Sequence, residues 1–246
     1  MENRKSSVEM TIEVEVLKDS AYTELTPYIA NLIDSTFDGN QDMLDFHKAN
    51  KAGKYSFGSL LPFKINQEYK AGQICTFRLR TFNKKLLSHL FMFLEDIENE
   101  RLRVTRILSV NNLERNETRS LESLTPVIVR VGEGNKYWKD VGFTEEDVRQ
   151  QIEKNARMKY REVFGKEIPE GAEIFSNIYF KNSVPVLLKV KKAKLCGDKI
   201  ILNLQKNEIA QEVAYMLETT GLGELNARGA GFLRTDREVR EARQRC

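Results

Sequence analysis

Two Gly-x-Gly motifs near the C-terminus, Gly221–Gly223 and Gly229–Gly231, constrain the fold of this chain more than any other feature. Glycines at this spacing let backbone amides approach a bulky anion such as a phosphate. A nucleotide-binding fold would need a strand before the loop, a helix after it and a unit of about 30 residues. Only 15 residues follow Gly231, which excludes that fold. With Arg228 between the motifs, the loop fits either a phosphate or nucleic-acid contact or a plain structural turn.

Alternating apolar and polar residues mark the first secondary-structure element. From Val8 to Leu17 every second residue is apolar, which predicts a half-buried strand. The elements predicted after it are a helix at Thr23–Phe37, a short helix at Met43–Lys48, strands at Lys54–Lys64 and Gln73–Thr81, a helix at Lys84–Ile97 and a strand at Leu102–Val110. Their order, β-α-β-β-α-β, is that of a ferredoxin-like unit.

A second unit of the same kind is predicted in the C-terminal half. Residues 111–122 are polar without an apolar period, so we interpret them as a linker. The elements predicted next are a strand at Pro126–Val131, a helix at Thr144–Phe164, a strand at Glu173–Phe180, hairpin strands at Val184–Lys194 and Lys199–Leu204 joined through Gly197, a helix at Asn207–Glu218 and a strand at Gly231–Leu233. We therefore predict an α+β fold of two tandem ferredoxin-like (RRM-like) βαββαβ domains, residues 1–118 and 119–234. A basic tail, 235–246, is predicted to be a frayed helix or disordered rather than a second RNA contact.

Composition narrows the class of protein. The chain has 246 residues, of which 41% are hydrophobic and 30% charged, and it lacks both an apolar run of membrane-spanning length and an apolar signal core. We expect a cytoplasmic protein without membrane association. Three cysteines and two histidines show no metal-ligand spacing. We therefore expect no metal and no other cofactor.

The net charge of +3 is small, but positive charge is concentrated between residues 181 and 206, where Asp198 is the single acid. Such a stripe can neutralise several phosphates of a nucleic acid. The alternative is a solvated strand face that keeps the protein soluble. The lysines of the stripe are Lys181, Lys189, Lys191, Lys192, Lys194, Lys199 and Lys206.

The two histidines differ in their surroundings. RNA cleavage without a metal needs a base for the attacking 2′-hydroxyl, an acid for the leaving 5′-oxygen and a positive charge near the phosphate, and histidine suits the first two tasks. His89 lies in an apolar helical stretch, which favours a packing role. His47 precedes a polar segment containing Lys48, Lys51 and Lys54, which is typical of a phosphate-handling site. A solvent-exposed helix end carrying favourable cations explains His47 equally well.

Several segments together resemble a known family along most of the chain. The pattern Gly-apolar-Gly, five residues, Gly-apolar-Gly-Phe resembles the signature of the CRISPR-associated endoribonucleases that cut repeat RNA into guide RNAs. Three weaker matches occur in the expected order. They are Phe46-His47 followed by Lys54–Leu60, then Thr125–Val129 with its proline, then Asn155–Tyr160 with its Asn, Lys and Tyr.

The resemblance implies a metal-independent cut of CRISPR repeat RNA in precursor transcripts, leaving a 2′,3′-cyclic phosphate and a 5′-hydroxyl. It favours His47 as general base or acid, with Lys54 or Lys51 stabilising the transition state. Family members also carry a tyrosine on the first helix after an apolar pair, but here Asp34 follows Leu32-Ile33, so no tyrosine role is carried over. The residues expected to position RNA are Gly221, Gly223, Arg228, Gly229, Gly231, Lys189, Lys191, Lys192 and Lys194.

Two other functions remain compatible with these residues. The chain could be a catalytically inactive repeat-RNA-binding subunit of a CRISPR ribonucleoprotein, or it could bind a small phosphorylated ligand through the glycine loop. Apart from precursor crRNA, the resemblance leaves open partners among the subunits of an interference complex and a homodimer.

Overall fold

The computed structural model describes residues 5–49, 54–63, 68–132, 136–190 and 193–244. Two four-stranded antiparallel sheets, each covered by helices, form two units along the chain. The predicted α+β class of tandem ferredoxin-like folds is confirmed.

The first sheet is built around a strand with strict alternation. Every second side chain of β1, beginning with Val8, is buried beneath the helices, as the sequence pattern predicts. The strands are β1 (Val8–Val16), β3 (Ser56–Phe57), β5 (Ile74–Thr81) and β6 (Leu102–Asn112), in the spatial order β3-β5-β1-β6. The strands β2 (Ser20–Ala21) and β4 (Glu68–Tyr69) pair separately as a two-stranded ribbon.

The described part of the first unit contains the α-helices α1 (Thr26–Ser35), α2 (Gln41–Lys48) and α3 (Lys84–Phe93). A 3-10 turn at Tyr22–Glu24 precedes α1. Asn40 caps α2 by accepting a hydrogen bond from the Met43 amide, 3.1 Å away. This cap fixes the start of α2 and therefore the position of His47 in its last turn.

The second sheet repeats the same strand order. Its strands are β7 (Ser120–Ser123), β8 (Phe175–Phe180), β11 (Ile200–Leu204) and β12 (Leu233–Thr235), in the spatial order β12-β7-β11-β8. When the four strands of each sheet are numbered in chain order, the first and third pair antiparallel in both sheets (β1 with β5, β7 with β11), as in a ferredoxin-like fold. The helices are α4 (Glu145–Phe164), which begins with a capping box at Thr144, and α5 (Glu208–Thr220).

The predicted hairpin pairing is wrong. Strands β9 (Val186–Val190) and β10 (Ala193–Gly197) pair with each other, whereas β11 joins the second sheet. Leu188 and Leu195 stand opposite each other and are buried against Ile128 and Ala230, which holds the hairpin outside the sheet. The chain passes from hairpin to sheet at Asp198, whose carboxylate accepts hydrogen bonds from the Tyr137 hydroxyl and the Trp138 indole.

Several predicted boundaries are also wrong. The first strand of the second unit is β7, inside the predicted linker, and Pro126–Val131 contributes only single bridges at Val127 and Ile128. Pro126 has no amide proton to give to a ladder, whereas Leu121 points into the core. Lys64, the last residue of the predicted strand Lys54–Lys64, lies outside the described residues, and residues 54–63 form β3 and a single bridge at Leu61. Helix α6 (Asp236–Gln244) lies in the tail, which is therefore helical over these residues.

A buried arginine joins the two units. Arg80 of β5 is 0% exposed and donates to the backbone oxygens of Glu218 and Leu233, at 3.2 and 2.9 Å. Its other nitrogens contact the carboxylates of Glu9, at 2.6 Å, and Glu238 of α6, at 2.7 Å. Because a buried guanidinium is stable only when its charge and its donors are satisfied, these partners fix the two sheets relative to each other.

Candidate active site

A cleft of about 850 Å³ lies between the two units. It is lined by the last turn of α2, by residues 54–55, by one side of α4 and by the loop 223–228. Counting described residues, its lining contains seven lysines and arginines, one histidine and three glutamates, so the cleft favours an anionic ligand. The basic residues are Lys48, Lys54, Arg130, Lys154, Arg157, Arg161 and Arg228.

His47 faces this cleft from the last turn of α2. Its side chain is 24% exposed, and its ring lies 5.4 Å from the ring of Phe37, centroid to centroid. The position agrees with a histidine at a helix end, where a cation is favourable. Its neighbours, however, come from distant parts of the chain, which a simple capping role does not require.

Arg228 and Asp34 hold the imidazole of His47 from two sides. The Arg228 guanidinium lies 3.0 Å from His47 Nε2 and also bonds Asp34 Oδ2, while Asp34 Oδ1 lies 3.6 Å from His47 Nδ1. Because a guanidinium only donates hydrogen bonds, His47 Nε2 must be the acceptor, and the proton of the neutral ring is assigned to Nδ1. The unprotonated nitrogen therefore points at the cation of the glycine loop.

Lys54 and Tyr55 complete this side of the cleft. Lys54 Nζ donates to the His47 backbone oxygen at 2.7 Å and lies 5.5 Å above the Phe46 ring centre. Burial, and then the charge of Arg228, lower the pKa of Lys54. Tyr55 is 1% exposed, and burial, followed by the Asp34 carboxylate, raises the pKa of its hydroxyl. The hydroxyl therefore keeps its proton at neutral pH.

The glycine loop is folded tightly upon itself. All four glycines have a positive φ, and a Cβ at Gly231 would lie 1.9 Å from the Leu222 oxygen. Their amides donate within the protein, to Leu217, Asn155, Asn226 and Pro126 for Gly221, Gly223, Gly229 and Gly231 respectively. The expectation that these amides approach a phosphate is not met in this conformation. Here the glycines allow the compact turn that presents Arg228.

Helix α4 clamps the loop through the Asn-Lys motif found in the sequence. Asn155 Oδ1 accepts from the Gly223 amide at 3.1 Å. Lys159 Nζ, fully buried, donates to the Gly221 oxygen at 2.7 Å and to Asn226 Oδ1 at 2.6 Å. Burial lowers the pKa of Lys159 to about 7. The motif therefore supports the loop from inside the protein, and Lys159 does not line the cleft.

The predicted lysine stripe divides into two groups. Lys189 and Lys194 stand opposite each other on the hairpin and are exposed. Like charges at opposed strand positions repel each other, which an anion between them would relieve. Lys181 instead pairs with Glu122, and Lys199 donates to the Leu124 oxygen, where burial lowers its pKa to about 8.

Three predicted residues, Lys51, Lys191 and Lys192, lie outside the described residues. Other members of the site are not among the predicted residues. In the sequence Asp34 stands out only as a departure from the family pattern, and the basic side of α4, Lys154, Arg157 and Arg161, is a further addition. The spacing of these three residues, at intervals of three and four, was a signal that they share one helix face.

Neither a membrane span nor a metal cluster occurs in the parts of the chain that the structure describes. No helix there is long and apolar enough to cross a bilayer. Within those residues, no group of three or more His, Cys, Asp or Glu side chains could hold a metal ion.

The fold and the sequence are both similar to those of known proteins. The family model for CRISPR associated protein Cas6, C-terminal, matches residues 110–235. A structure from a characterisation of a Cas6-related gene from Pyrococcus furiosus superposes with a TM-score of 0.68 at 16% identity, covering 94% of this chain and 99% of its own. "An RAMP protein binding different RNA substrates" gives 0.66 at 15% identity, with coverages of 94% and 99%. A Cas6 product complex gives 0.60 at 14%, with coverages of 94% and 100%. No curated protein matches the sequence at a significant level.

Proposed function

Since the chain belongs to the Cas6 family of CRISPR-associated proteins, we propose that it cleaves CRISPR repeat RNA in precursor transcripts to release guide crRNAs. The observation that carries this proposal is the meeting of His47 with Arg228 in a basic cleft between the two units. These residues are 181 positions apart in the chain. A structural helix end would not need such a long-range arrangement.

The residues of the cleft can supply a general base and positive charge for attack by a 2′-hydroxyl on the adjacent phosphate. In this proposal His47 Nε2 takes the proton of the 2′-hydroxyl, and the O2′–P bond forms as the P–O5′ bond breaks. The leaving 5′-oxygen takes a proton from solvent, which gives a 5′-hydroxyl and a 2′,3′-cyclic phosphate. Arg228 and Lys54 bring positive charge to the phosphorane-like transition state. We assign no step to a metal ion.

Two groups of basic residues could contact an RNA strand bound at His47. Helix α4 offers Lys154, Arg157 and Arg161 across the cleft, and the hairpin offers Lys189 and Lys194. Leu188 of the hairpin packs with Ala230 of the glycine loop, so the hairpin lysines belong to an element anchored beside Arg228. We therefore propose that α4 and the hairpin position the RNA through its phosphates, while the loop presents Arg228.

The experiment that tests this function uses end-labelled repeat RNA from the same genome, incubated with the protein in EDTA. We expect one cut, abolished by a single 2′-deoxy substitution at that site and slowed about 10² to 10⁴-fold by His47→Ala. His89→Gln serves as the histidine control, because a glutamine amide can still donate to the Thr36 oxygen that His89 contacts at 2.7 Å. This control should cut within a few-fold of the wild-type rate.

Other outcomes would redirect the proposal. A folded His47→Ala variant that cuts as fast as the parent would remove His47 from the chemistry. Tight, salt-sensitive RNA binding without a cut would identify a repeat-RNA-binding subunit. Stabilisation by a nucleotide without affinity for RNA would support the small phosphorylated ligand instead.

A further inference from the structure

Asp34 occupies a position that no part of the proposed mechanism uses. It lies in the last turn of α1, with its side chain 29% exposed. Its two carboxylate oxygens face different partners, Arg228 through Oδ2 and His47 through Oδ1. Among the described residues, Oδ1 is buried and accepts no hydrogen bond. A buried carboxylate oxygen that lacks a donor costs stability, so its retention here needs an explanation.

The imidazole of His47 supplies that explanation. Nδ1 carries the ring proton, because Nε2 accepts from Arg228. At 3.6 Å, Asp34 Oδ1 is only about 0.5 Å beyond the usual distance for a hydrogen bond from Nδ1–H, and such bonds often tighten when the substrate binds. Asp34 is therefore placed to fix which ring nitrogen is protonated.

We propose that Asp34 is the positioning residue of this site. One carboxylate oxygen keeps the proton of His47 on Nδ1, and the other orients Arg228, so that the basic nitrogen and the phosphate-binding cation face the same point. This inference rests on the proposed function. In the complex, Arg228 would turn its donors from Nε2 to the scissile phosphate, while Asp34 would keep Nε2 as the acceptor of the 2′-hydroxyl proton.

The change Asp34→Asn keeps the shape of the side chain, removes its charge and replaces one acceptor oxygen with an NH2 donor. The other charged or titratable groups that the described residues place around His47 remain as they are. They are Lys48, Lys54, Tyr55, Arg130, Lys154, Arg157, Arg161, Glu162, Glu167, Glu224 and Arg228 around the cleft, and His89 on the far side of Phe37. A nearby carboxylate favours the protonated imidazole. Loss of the Asp34 carboxylate should therefore lower the pKa of His47. The expected decrease is about one unit for two charges 3.6 Å apart at a solvent-exposed surface.

Nitrogen-15 NMR of the full chain can measure this directly, because the chain has just two histidines. We expect wild-type His47 to show the Nδ1–H form, and Asp34→Asn to lower its pKa by about one unit while the His89 signals stay unchanged. The spectrum of His89→Gln assigns the two rings. The matched control is Asp38→Asn, which removes the same charge from an exposed residue just after α1 and should leave His47 unchanged.

A second variant keeps the proposal testable if Asp34→Asn does not fold. Arg228→Met removes the donor at Nε2 but leaves Asp34 in place, so the Nδ1–H form should persist. A switch to Nε2–H in Arg228→Met would show that Arg228, not Asp34, sets the tautomer, and would overturn the proposal. An unchanged His47 pKa in Asp34→Asn would overturn it as well.

Cleavage assays separate this inference from the function on which it rests. We expect Asp34→Asn to slow the cut about 10 to 100-fold and to move the acidic limb of the rate–pH profile to lower pH with the pKa of His47. If His47→Ala cuts normally, the chemical role proposed for His47 fails, yet the NMR result still decides whether Asp34 sets the tautomer of His47. If His47→Ala is inactive but Asp34→Asn retains the wild-type rate profile, only the role of Asp34 fails.

Discussion

Replacing Lys159 with methionine should make the stability of this protein depend differently on pH. Lys159 is 1% exposed and donates two hydrogen bonds, at 2.7 Å to the Gly221 oxygen and at 2.6 Å to Asn226 Oδ1. Methionine has a similar length but no donor. The variant therefore loses the two hydrogen bonds that support the glycine loop. It also lacks the buried amine, which titrates.

The size of the effect follows from the pKa of Lys159. Burial lowers it to about 7 from the 10.5 of an ordinary lysine, so between these values the unfolded chain holds a proton that the folded chain does not. Stability contributed by this group is therefore greatest at high pH and is lost as the pH falls from about 10.5 to 7. Between pH 9 and pH 7 the loss is about 2 kcal/mol, because each unit of pH is worth about 1.4 kcal/mol and the folded group begins to titrate near 7.

The variant's cost should change with pH accordingly. At about pH 9 the folded-state amine is neutral. Lys159→Met then leaves Asn226 Oδ1 without a donor and leaves the Gly221 oxygen with only the Thr220 hydroxyl, 3.4 Å away, a cost of about 2 to 4 kcal/mol. At about pH 7 the variant also avoids the penalty of burying the amine, so its cost should be about 2 kcal/mol smaller. Taking the difference between variant and wild type cancels the contributions of other titrating groups.

Urea unfolding of both proteins at about pH 7 and pH 9 measures this difference. Lys154→Met, on the exposed side of the same helix, is the matched control and should have the same small effect at both pH values. If the cost of Lys159→Met did not change with pH, the lysine would keep its proton in the folded chain, and the argument from burial would be refuted.

Two further predictions test the loop and the hairpin. Gly229→Ala should lower the free energy of unfolding, measured in urea, by about 3 kcal/mol, because the φ of Gly229 is +86° and a Cβ there would lie 2.4 Å from Thr26 Cγ2. Gly39→Ala, at a φ of +80° but with open space around it, should lower it by about 1 kcal/mol. Equal losses in the two variants would refute the packing role of Gly229. The double change Lys189→Gln and Lys194→Gln should weaken RNA binding, and it should flatten the slope of log affinity against log salt by about 0.7 to 0.9 for each phosphate that these lysines neutralise. The control, Lys84→Gln with Lys85→Gln on α3, should change neither the affinity nor the slope. An unchanged slope in the hairpin variant would show that the hairpin does not contact the RNA phosphates.

The elements that the sequence predicted well are those with a local cause. The alternation of β1 and the cap of α4 at Thr144 both act within a few residues, and both elements end within one residue of their predicted bounds. The hairpin prediction failed because its register depends on partners elsewhere. Leu188 and Leu195 are buried by Ile128 and Ala230, and no pattern inside residues 184–204 records that contact.

The site likewise contains residues that a local sequence signal reveals and residues that only the fold brings together. The glycine pairs pointed to the loop, and the basic segment pointed to His47, since both signals are local. Asp34 and Arg228 are 194 positions apart, so their ion pair appears only when the fold brings α1 and the loop together. For the same reason the glycine pattern leaves a phosphate contact and a structural turn equally open, because the acceptors of these amides, Asn155 and Pro126 among them, lie in other parts of the chain.

These contacts link the stability of the second unit to the chemistry proposed for the first. Lys159 on α4 supports the glycine loop, the loop carries Arg228, and Arg228 contacts both Asp34 and His47. Without the second unit, Asp34 on α1 and His47 on α2 would lose both Arg228 and the opposite side of the cleft, which α4 forms. The arrangement therefore depends on how Arg80 and its partners hold the two sheets, and a change at that junction should disturb the site even though it lies outside the cleft lining.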